Sequence, residues 1–222
     1  MHLEFLVEGQ IDLTVLSIMM PKVIGEYGQP HTWKIHKHRG IGSIPENPAQ
    51  RPNHRDQSLL HNLPAKLRAY GAEGRDDLLV VVLVDLDDRE SCLEFKQELL
   101  SLLQSCPTPP NALFRIAIEE LEAWFLGDQG AILAAFPEAK IQELADYVQD
   151  SQCGTWEKLA DIVHVGGSNE LRTLGKRSTR VLAQKRRWAA AISPHLDVDR
   201  NVSSSFKAFI AGVRGRIAPQ TA

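Results

Sequence analysis

Three short apolar runs and one alternating stretch, at residues 32–37, predict β-strands, and longer amphipathic stretches between them predict helices. The run over residues 78–84 is uninterrupted, which is typical of a central strand buried on both faces. The predicted strands cover residues 2–7, 32–37, 78–84 and 112–118. The predicted helices cover residues 11–27, 57–70, 89–104 and 119–126. This alternation predicts an α/β fold with a mostly parallel sheet flanked by helices.

The pattern changes after the last predicted strand. From about residue 128 onward the periodicity is helical throughout, most clearly over residues 156–163, 179–192 and 203–214. We therefore expect an α/β core over residues 1–127 and a helical C-terminal part over residues 128–222, packed on the core. Residues 39–56 are rich in Gly, Pro, Asn and Arg and predict a long loop, a feature that is often functional in compact domains.

Composition narrows the class of protein. The chain has 222 residues, of which 43% are hydrophobic, so it can bury a substantial core. Its three cysteines, Cys92, Cys106 and Cys153, form no C-x-x-C pair, which argues against a disulfide framework or a cysteine zinc site. The first residues lack the pattern of a secretory signal, and the longest apolar run is too short to span a bilayer. We expect a soluble cytoplasmic protein without a membrane segment.

Charge is unevenly distributed along the chain. Residues 1–150 carry 13 Lys and Arg against 23 Asp and Glu, whereas residues 151–222 carry 12 against 5. The front part therefore has a formal charge of -10 and the tail +7, which together make the net charge of -3. An acidic part and a basic part suit a metal site beside a polyanion-binding surface. Mutual attraction of the two parts explains the same split.

Acidic residues follow three of the predicted strands. Glu8 follows the first strand, Asp85 and Asp87 follow the third, and Glu119 to Glu122 follow the fourth. In parallel sheets the carboxyl ends of strands meet at one edge, where functional groups collect. Glu119 and Glu122 are predicted to share one helical face. The alternative for each group is a helix-capping or solvated acid.

Carboxylates crowded at the end of a buried strand repel one another, so either one of them stays protonated or a cation neutralises them. Oxygen-only ligands favour Mg²⁺ or Mn²⁺ over zinc. Asp12, four residues after Glu8, can face back toward Glu8 if a helix begins between them. The sequence therefore predicts a divalent-metal site, while a lone acid at any of these positions would be unremarkable.

A basic segment in the tail is the candidate polyanion-binding surface. Its members are Lys176, Arg177, Arg180, Lys185 and Arg186. Lysine and arginine side chains on one face could bind the phosphates of DNA or RNA, and one near a scissile phosphate could neutralise transition-state charge. A solvated helical face is the alternative. No phosphate-binding loop for ATP and no dinucleotide-binding glycine motif occurs, so we do not expect this chain itself to bind those cofactors.

Several segments together resemble domain-of-unknown-function family 4276. They are FLVEGQ at 5–10, LVDLD at 83–87, IEELEAWFLGD at 118–128, QKRRWA at 184–189 and SSSFKAF at 203–209. That family looks like a Toprim-fold group, similar to topoisomerase-primase domains and to nucleases of the overcoming-lysogenization-defect type. In the Toprim pattern a Glu follows the first strand and an Asp-x-Asp follows a later one, which Glu8, Asp85 and Asp87 match. Asp12 matches an additional acid of the related nucleases.

The resemblance implies a Mg²⁺- or Mn²⁺-dependent nuclease. Glu8, Asp85 and Asp87, with Asp12, would hold metal, Glu119 or Glu122 could hold a second ion, and Lys176 could stabilise charge. Similar nucleases act in anti-phage defence beside an ABC- or AAA-type ATPase, so such an ATPase is an implied partner, and a homo-oligomer is left open.

Two other functions are weighed against the nuclease. A phosphohydrolase of the haloacid-dehalogenase type also uses a strand-end Asp-x-Asp, but Arg89 stands where that class has Thr or Val. A non-catalytic module that binds an ATPase would tolerate substitution of the acids.

Overall fold

A four-stranded, all-parallel sheet forms the centre of the molecule in the computed structural model, which describes residues 1–175 and 178–218. The strands are β1 (His2–Val7), β2 (Thr32–Lys37), β3 (Leu78–Asp85) and β4 (Ala112–Ala117), in the spatial order β2-β1-β3-β4. Three apolar runs and the alternating pattern of residues 32–37 predicted all four positions. The fold is α/β, with a helical C-terminal part.

Helices connect the strands and are the main regular structure of the later chain, which also has a long irregular segment over residues 136–154. They are α1 (Gln10–Ile24), α2 (Leu59–Glu73), α3 (Cys92–Gln104), α4 (Glu122–Leu126), α5 (Gln129–Ala135), α6 (Thr155–Val163), α7 (Gly167–Arg172), α8 (Thr179–Ile192) and α9 (Ser204–Ile217). Short 3₁₀ turns occur at Ile141–Leu144 and Ser193–His195. No helix within the described residues is long and apolar enough to cross a membrane.

Strand β3 is buried on both faces, as its unbroken apolar sequence predicted. Leu79, Val81 and Leu83 point into a large cluster that also contains Trp156 and Trp188 from the C-terminal helices. The alternate residues of β3 point to a second cluster under α2 and α3. The C-terminal part therefore shares a core with the sheet, because one apolar cluster includes residues from both parts of the chain.

Local signals determine where the helices begin and end. The predicted helix from residue 89 begins instead at Cys92, because the Ser91 hydroxyl accepts a hydrogen bond from the Glu94 amide at 3.1 Å. The first helix ends at Ile24 rather than at residue 27, since Gly25 adopts φ +90°. The long loop after β2 has no regular secondary structure up to α2, as its composition predicted.

Candidate metal centre

The ends of β1 and β3 bring Glu8 and Asp85 together. The two strands are parallel neighbours, with Leu6 paired to Val82, so both chains leave the sheet at the same edge. The Glu8 Oε1 atom accepts a hydrogen bond from the backbone amide of Asp85 at 2.7 Å. Burial and the charge of Asp12 raise the pKa of Glu8 well above its usual range, although this hydrogen bond opposes the shift.

Asp12 completes this group from the first turn of α1. Its Oδ2 accepts a hydrogen bond from the Gly9 amide at 2.8 Å, which holds the carboxylate at the helix N-terminus and turns it back toward Glu8. The side chain is buried, with 6% exposure. Burial raises the pKa of Asp12 to about 6, while the Gly9 hydrogen bond and the charge of Lys185 oppose the rise.

Asp85 carries one of several buried side-chain atoms that lack a hydrogen-bond partner among the described residues. This atom is its Oδ1. Burial, followed by the charges of Glu8 and Asp12, raises the pKa of Asp85 well above its usual range. An unsatisfied buried oxygen costs about 1–3 kcal/mol, and more if it is charged. A cation or a proton at this oxygen would remove that cost.

Asp87 lies in a tight turn after β3. It adopts a left-handed conformation at φ +50°, which aspartate tolerates better than most residues. Its amide donates to the Glu119 carbonyl at 2.8 Å, so the turns after β3 and β4 are joined. The Asp87 charge contributes to the raised pKa of Glu8. Asp87 therefore belongs to the same electrostatic group as Glu8 and Asp85.

Glu119 is held by backbone amides. Its carboxylate accepts hydrogen bonds from the amides of Cys153, Gly154 and Thr155 at 2.7–3.0 Å, at the N-terminus of α6. This arrangement is favoured because helix N-termini have unpaired amides and a partial positive charge. Both carboxylate oxygens are thus hydrogen-bonded, and Glu119 attaches α6 to the end of β4.

The predicted pairing of Glu119 with Glu122 on one helical face is wrong. Helix α4 begins only at Glu122, and Glu119 has φ +60°, so the helical spacing does not apply to these two residues. Glu120 and Glu122 come together instead. Both are buried, and each carboxylate lies 3.1 Å from the ammonium of Lys185.

The prediction that Lys185 belongs to an exposed phosphate-binding surface also needs correction. The residue is only 8% exposed, because α8 packs with Lys185 facing the sheet edge. Burial alone would lower the pKa of Lys185, but the charges of Glu122 and Glu120 raise it, with a further contribution from Asp85. Burial raises the pKa of Glu122 despite Lys185. Lys185 is therefore an internal counter-ion for the acidic group.

The other members of the predicted basic segment differ in what can be said of them. Arg180 and Arg186 are exposed on α8, which suits either a phosphate-binding surface or a solvated face. Lys176 and Arg177 lie outside the described residues.

Sequence reasoning missed Arg89 as a member of the site. Its guanidinium stacks over the Phe95 ring at 4.1 Å from the centroid and donates to the Leu86 carbonyl at 3.2 Å. The charge of Arg89 lowers the pKa of Glu8, against the dominant effect of burial. Its position directly after the Asp-x-Asp turn was a usable signal. Nothing in the local sequence indicated the role of Glu120, because its carboxylate pairs with Lys185, which lies 65 residues later in the chain.

The donor set fits a hard divalent cation. Glu8, Asp12, Asp85 and Asp87 offer only carboxylate oxygens, which Mg²⁺ and Mn²⁺ prefer, and Asp85 Oδ1 is buried without a partner among the described residues. Over residues 1–175 and 178–218, no three His, Cys, Asp or Glu side chains are arranged to hold a metal ion as they stand. Binding would therefore require carboxylates to turn toward a common point, starting with Glu8 Oε1, which now contacts the Asp85 amide.

A family model covers most of the chain. Residues 7–214 match the model of a domain of unknown function, DUF4276, and the chain belongs to that family. No curated protein and no solved structure gives a significant match. The match includes every acidic residue of the candidate centre and extends through α8 into α9.

Proposed function

We propose that this member of the DUF4276 family is a Toprim-like nuclease that depends on Mg²⁺ or Mn²⁺. The metal would be held by Glu8, Asp85 and Asp87, with Asp12 beside them. The observation that carries the proposal is the buried Asp85 Oδ1, which has no partner among the described residues and lies next to Glu8 at the end of parallel strands. The resemblance of the Glu and Asp-x-Asp pattern to Toprim domains supports the same reading.

The chemistry that a divalent ion supplies when bound is polarisation of a phosphodiester oxygen and activation of water. The protein's own part is to hold several carboxylates close together where water is scarce. Their pKa values are raised chiefly by burial, so they are poorly compensated without a cation. Arg89, fixed on Phe95, places a positive charge at the same sheet edge and is the candidate contact for a substrate phosphate.

Lys185 is the counter-ion of a second pair of acids, Glu120 and Glu122, whose charges still add to the raised pKa of Asp85. Its ammonium lies between Glu120 and Glu122, and its charge also lowers the pKa of Asp12 against the effect of burial. We therefore propose a single metal position at Glu8, Asp85 and Asp87, with Lys185 in place of a second cation near Glu122. This replaces the expectation of a second ion held by Glu119 or Glu122.

The partner proposal follows from the resemblance alone. Effector nucleases similar to this family act beside an ABC- or AAA-type ATPase in anti-phage defence, and this chain has no ATP-binding motif of its own. We propose that such an ATPase controls the nuclease.

A nuclease assay tests the proposal. Purified protein would be incubated with DNA, RNA and tRNA in Mn²⁺, Mg²⁺ or EDTA, alone and with any neighbouring ATPase. We expect cleavage that requires metal and is lost in Asp85→Asn and Glu8→Gln. Asp88→Asn is the matched control, because Asp88 is the exposed acid of the same turn. Metal-dependent cleavage by Asp85→Asn at the parent rate would contradict the proposal, as would a parent that cleaves nothing under any of these conditions.

A further inference from the structure

A basic cleft lies on the opposite side of Glu8 from Asp85, at the β2 edge of the sheet. Its volume is about 810 Å³, and it is lined by residues from the end of β2, the start of α1 and the first half of α2. Its lining residues include three cations, Lys37, Arg39 and Lys66, and no Asp or Glu. None of the three forms an ion pair with another described residue. The charge of Glu4 acts on Lys66 from outside the cleft, so the cleft itself is lined by positive charge alone.

The cleft is connected to the acidic group through the backbone. The Gly40 amide donates to the Glu8 carbonyl at 3.0 Å, and the His38 amide donates to the Val7 carbonyl at 3.0 Å. Residues 38–40 therefore run alongside the turn that carries Glu8. The His38 ring also donates from Nδ1 to the Val7 carbonyl at 2.8 Å, which fixes this segment against the end of β1. A ligand in the cleft would contact residues 37–39 and Gln10, which adjoin the turn that carries Glu8.

The lining has a mixed chemistry. Gln57 adds a side-chain amide that can donate and accept hydrogen bonds, and Leu13 with Ile35 adds apolar surface. The amides of Gln10 and Asn62 also line the cleft but are partly engaged, with Lys37 and with the Asp56 and Ser58 carbonyls. Phosphate alone would need only the cations, whereas a nucleotide also presents a sugar and a base. The volume lies within the range of pockets that hold one small molecule, so it suits one or two nucleotides and is too small for a duplex.

We propose that this cleft binds nucleotides of a single-stranded nucleic acid that flank the phosphodiester at the acidic centre. The inference rests on the proposed nuclease function and adds to it the strand-binding surface. Lys37 and Arg39 are exposed at the mouth and would contact phosphates, because a flexible single strand tracks a positively charged groove. Lys66, which is partly buried, would hold the strand deeper in the cleft. This places the main nucleic-acid contact on the acidic front part of the chain and not on the tail.

Binding without cleavage tests the cleft. A short fluorescein-labelled oligothymidylate and the matching oligouridylate would be titrated with protein in EDTA, with anisotropy followed at several salt concentrations. We expect Lys37→Glu with Arg39→Glu to weaken binding at least about tenfold and to lower the salt-dependence slope by about one unit for each lost phosphate contact. Lys37→Gln with Arg39→Gln should give a smaller loss in the same direction and serves if the charge reversal does not fold.

The control is Lys207→Glu, an exposed lysine on α9, which packs against β4 at the other edge of the sheet. It should leave binding and its salt dependence unchanged. Unchanged binding by the cleft variants, an equal loss in the control, or a parent that binds neither probe would overturn the inference. Failure of the nuclease proposal is distinguishable, because binding would then depend on the cleft while no metal-dependent cleavage occurred.

Discussion

Lys185 shows what a single side chain contributes in this molecule. It is a basic residue within a basic stretch of sequence, yet its ammonium is buried between Glu120 and Glu122. A buried ion pair is not strong evidence of net stabilisation, because both charges lose their hydration. Removing one partner is different, since the remaining charges are left buried and uncompensated.

Replacing Lys185 should therefore be costly. We expect Lys185→Met to lower the free energy of unfolding by about 3–5 kcal/mol, because two buried carboxylates lose their counter-ion. Arg186→Ala, at the next position but exposed, should change it by no more than about 0.5 kcal/mol. Urea denaturation measures both. Equal small effects would mean that the Lys185 charge is solvated, which is one of the two readings that the sequence left open. A triple variant that combines Lys185→Met with Glu120→Gln and Glu122→Gln should regain part of the lost free energy of unfolding.

Among the secondary-structure elements, the sequence predicted the strands but not the conformation of the turns after β3 and β4. Three strands were predictable from apolar runs that suit a buried sheet, and β2 from its alternating pattern, although none of its residues is fully buried. The segment from Glu119 was predicted to be helical because its acids and apolar residues have helical spacing. In the structure, the carboxylate of Glu119 binds amides at the start of α6, a contact 34–36 residues away in sequence. No local pattern reports such a contact.

Helix α9 depends on a similar distant acid. Asp150 accepts hydrogen bonds from the amide of Ser205 at 3.0 Å and the hydroxyl of Ser203 at 2.9 Å, together with groups of Ser204, at the N-terminus of α9. Burial would raise the pKa of Asp150, but the hydrogen bonds from these serines outweigh it and lower the pKa below its usual range. The ionised carboxylate is thus the form that stabilises the helix.

The stability due to Asp150 should depend on pH. A carboxyl group with a lowered folded-state pKa stabilises the fold above its unfolded pKa of about 3.9, and that stability is lost as the pH falls through the folded value. We expect Asp150→Asn to cost about 1–3 kcal/mol at neutral pH. The difference from the parent should shrink below about pH 4 in urea denaturation at a series of pH values.

Asp146→Asn, an exposed acid four residues earlier, is the control and should cost little at any pH. A loss for Asp150→Asn that is the same at acid and neutral pH would show that the carboxylate charge does not contribute.

At the scale of the whole molecule, the charge split along the sequence is only partly reflected in space. The sequence predicted an acidic front part and a basic tail that would bind a polyanion. The structure buries Lys185 of the tail among acids of the front part, and it places the cations Lys37, Arg39 and Lys66 in a cleft of the front part. Net charge per segment could not predict this, because folding interleaves the segments.

The two acids at the strand ends could be predicted from the sequence more fully than the residues around them. Glu8 and Asp85 follow parallel strands, and topology alone brings them to one edge. The positions of Asp87, Glu119 and Glu120 depend on left-handed turns and on contacts with α6 and α8. The sheet therefore determines which acids meet, while packing of the C-terminal helices determines which of them remain available for a cation.

The central claim is that Asp85 and its neighbours bind a divalent cation, and thermal unfolding with and without Mn²⁺ tests it most directly. In EDTA, Asp85→Asn should be as stable as the parent or slightly more so, because it removes one of several mutually repelling carboxylates. Mn²⁺ at 100 times its Kd should stabilise the parent by about 2.7 kcal/mol, since it binds only the folded state. Asp88→Asn should respond like the parent, and Asp85→Asn should lose most of the response. A parent that shows no shift up to millimolar Mn²⁺, together with an Asp85→Asn variant that is markedly destabilised in EDTA, would contradict the claim.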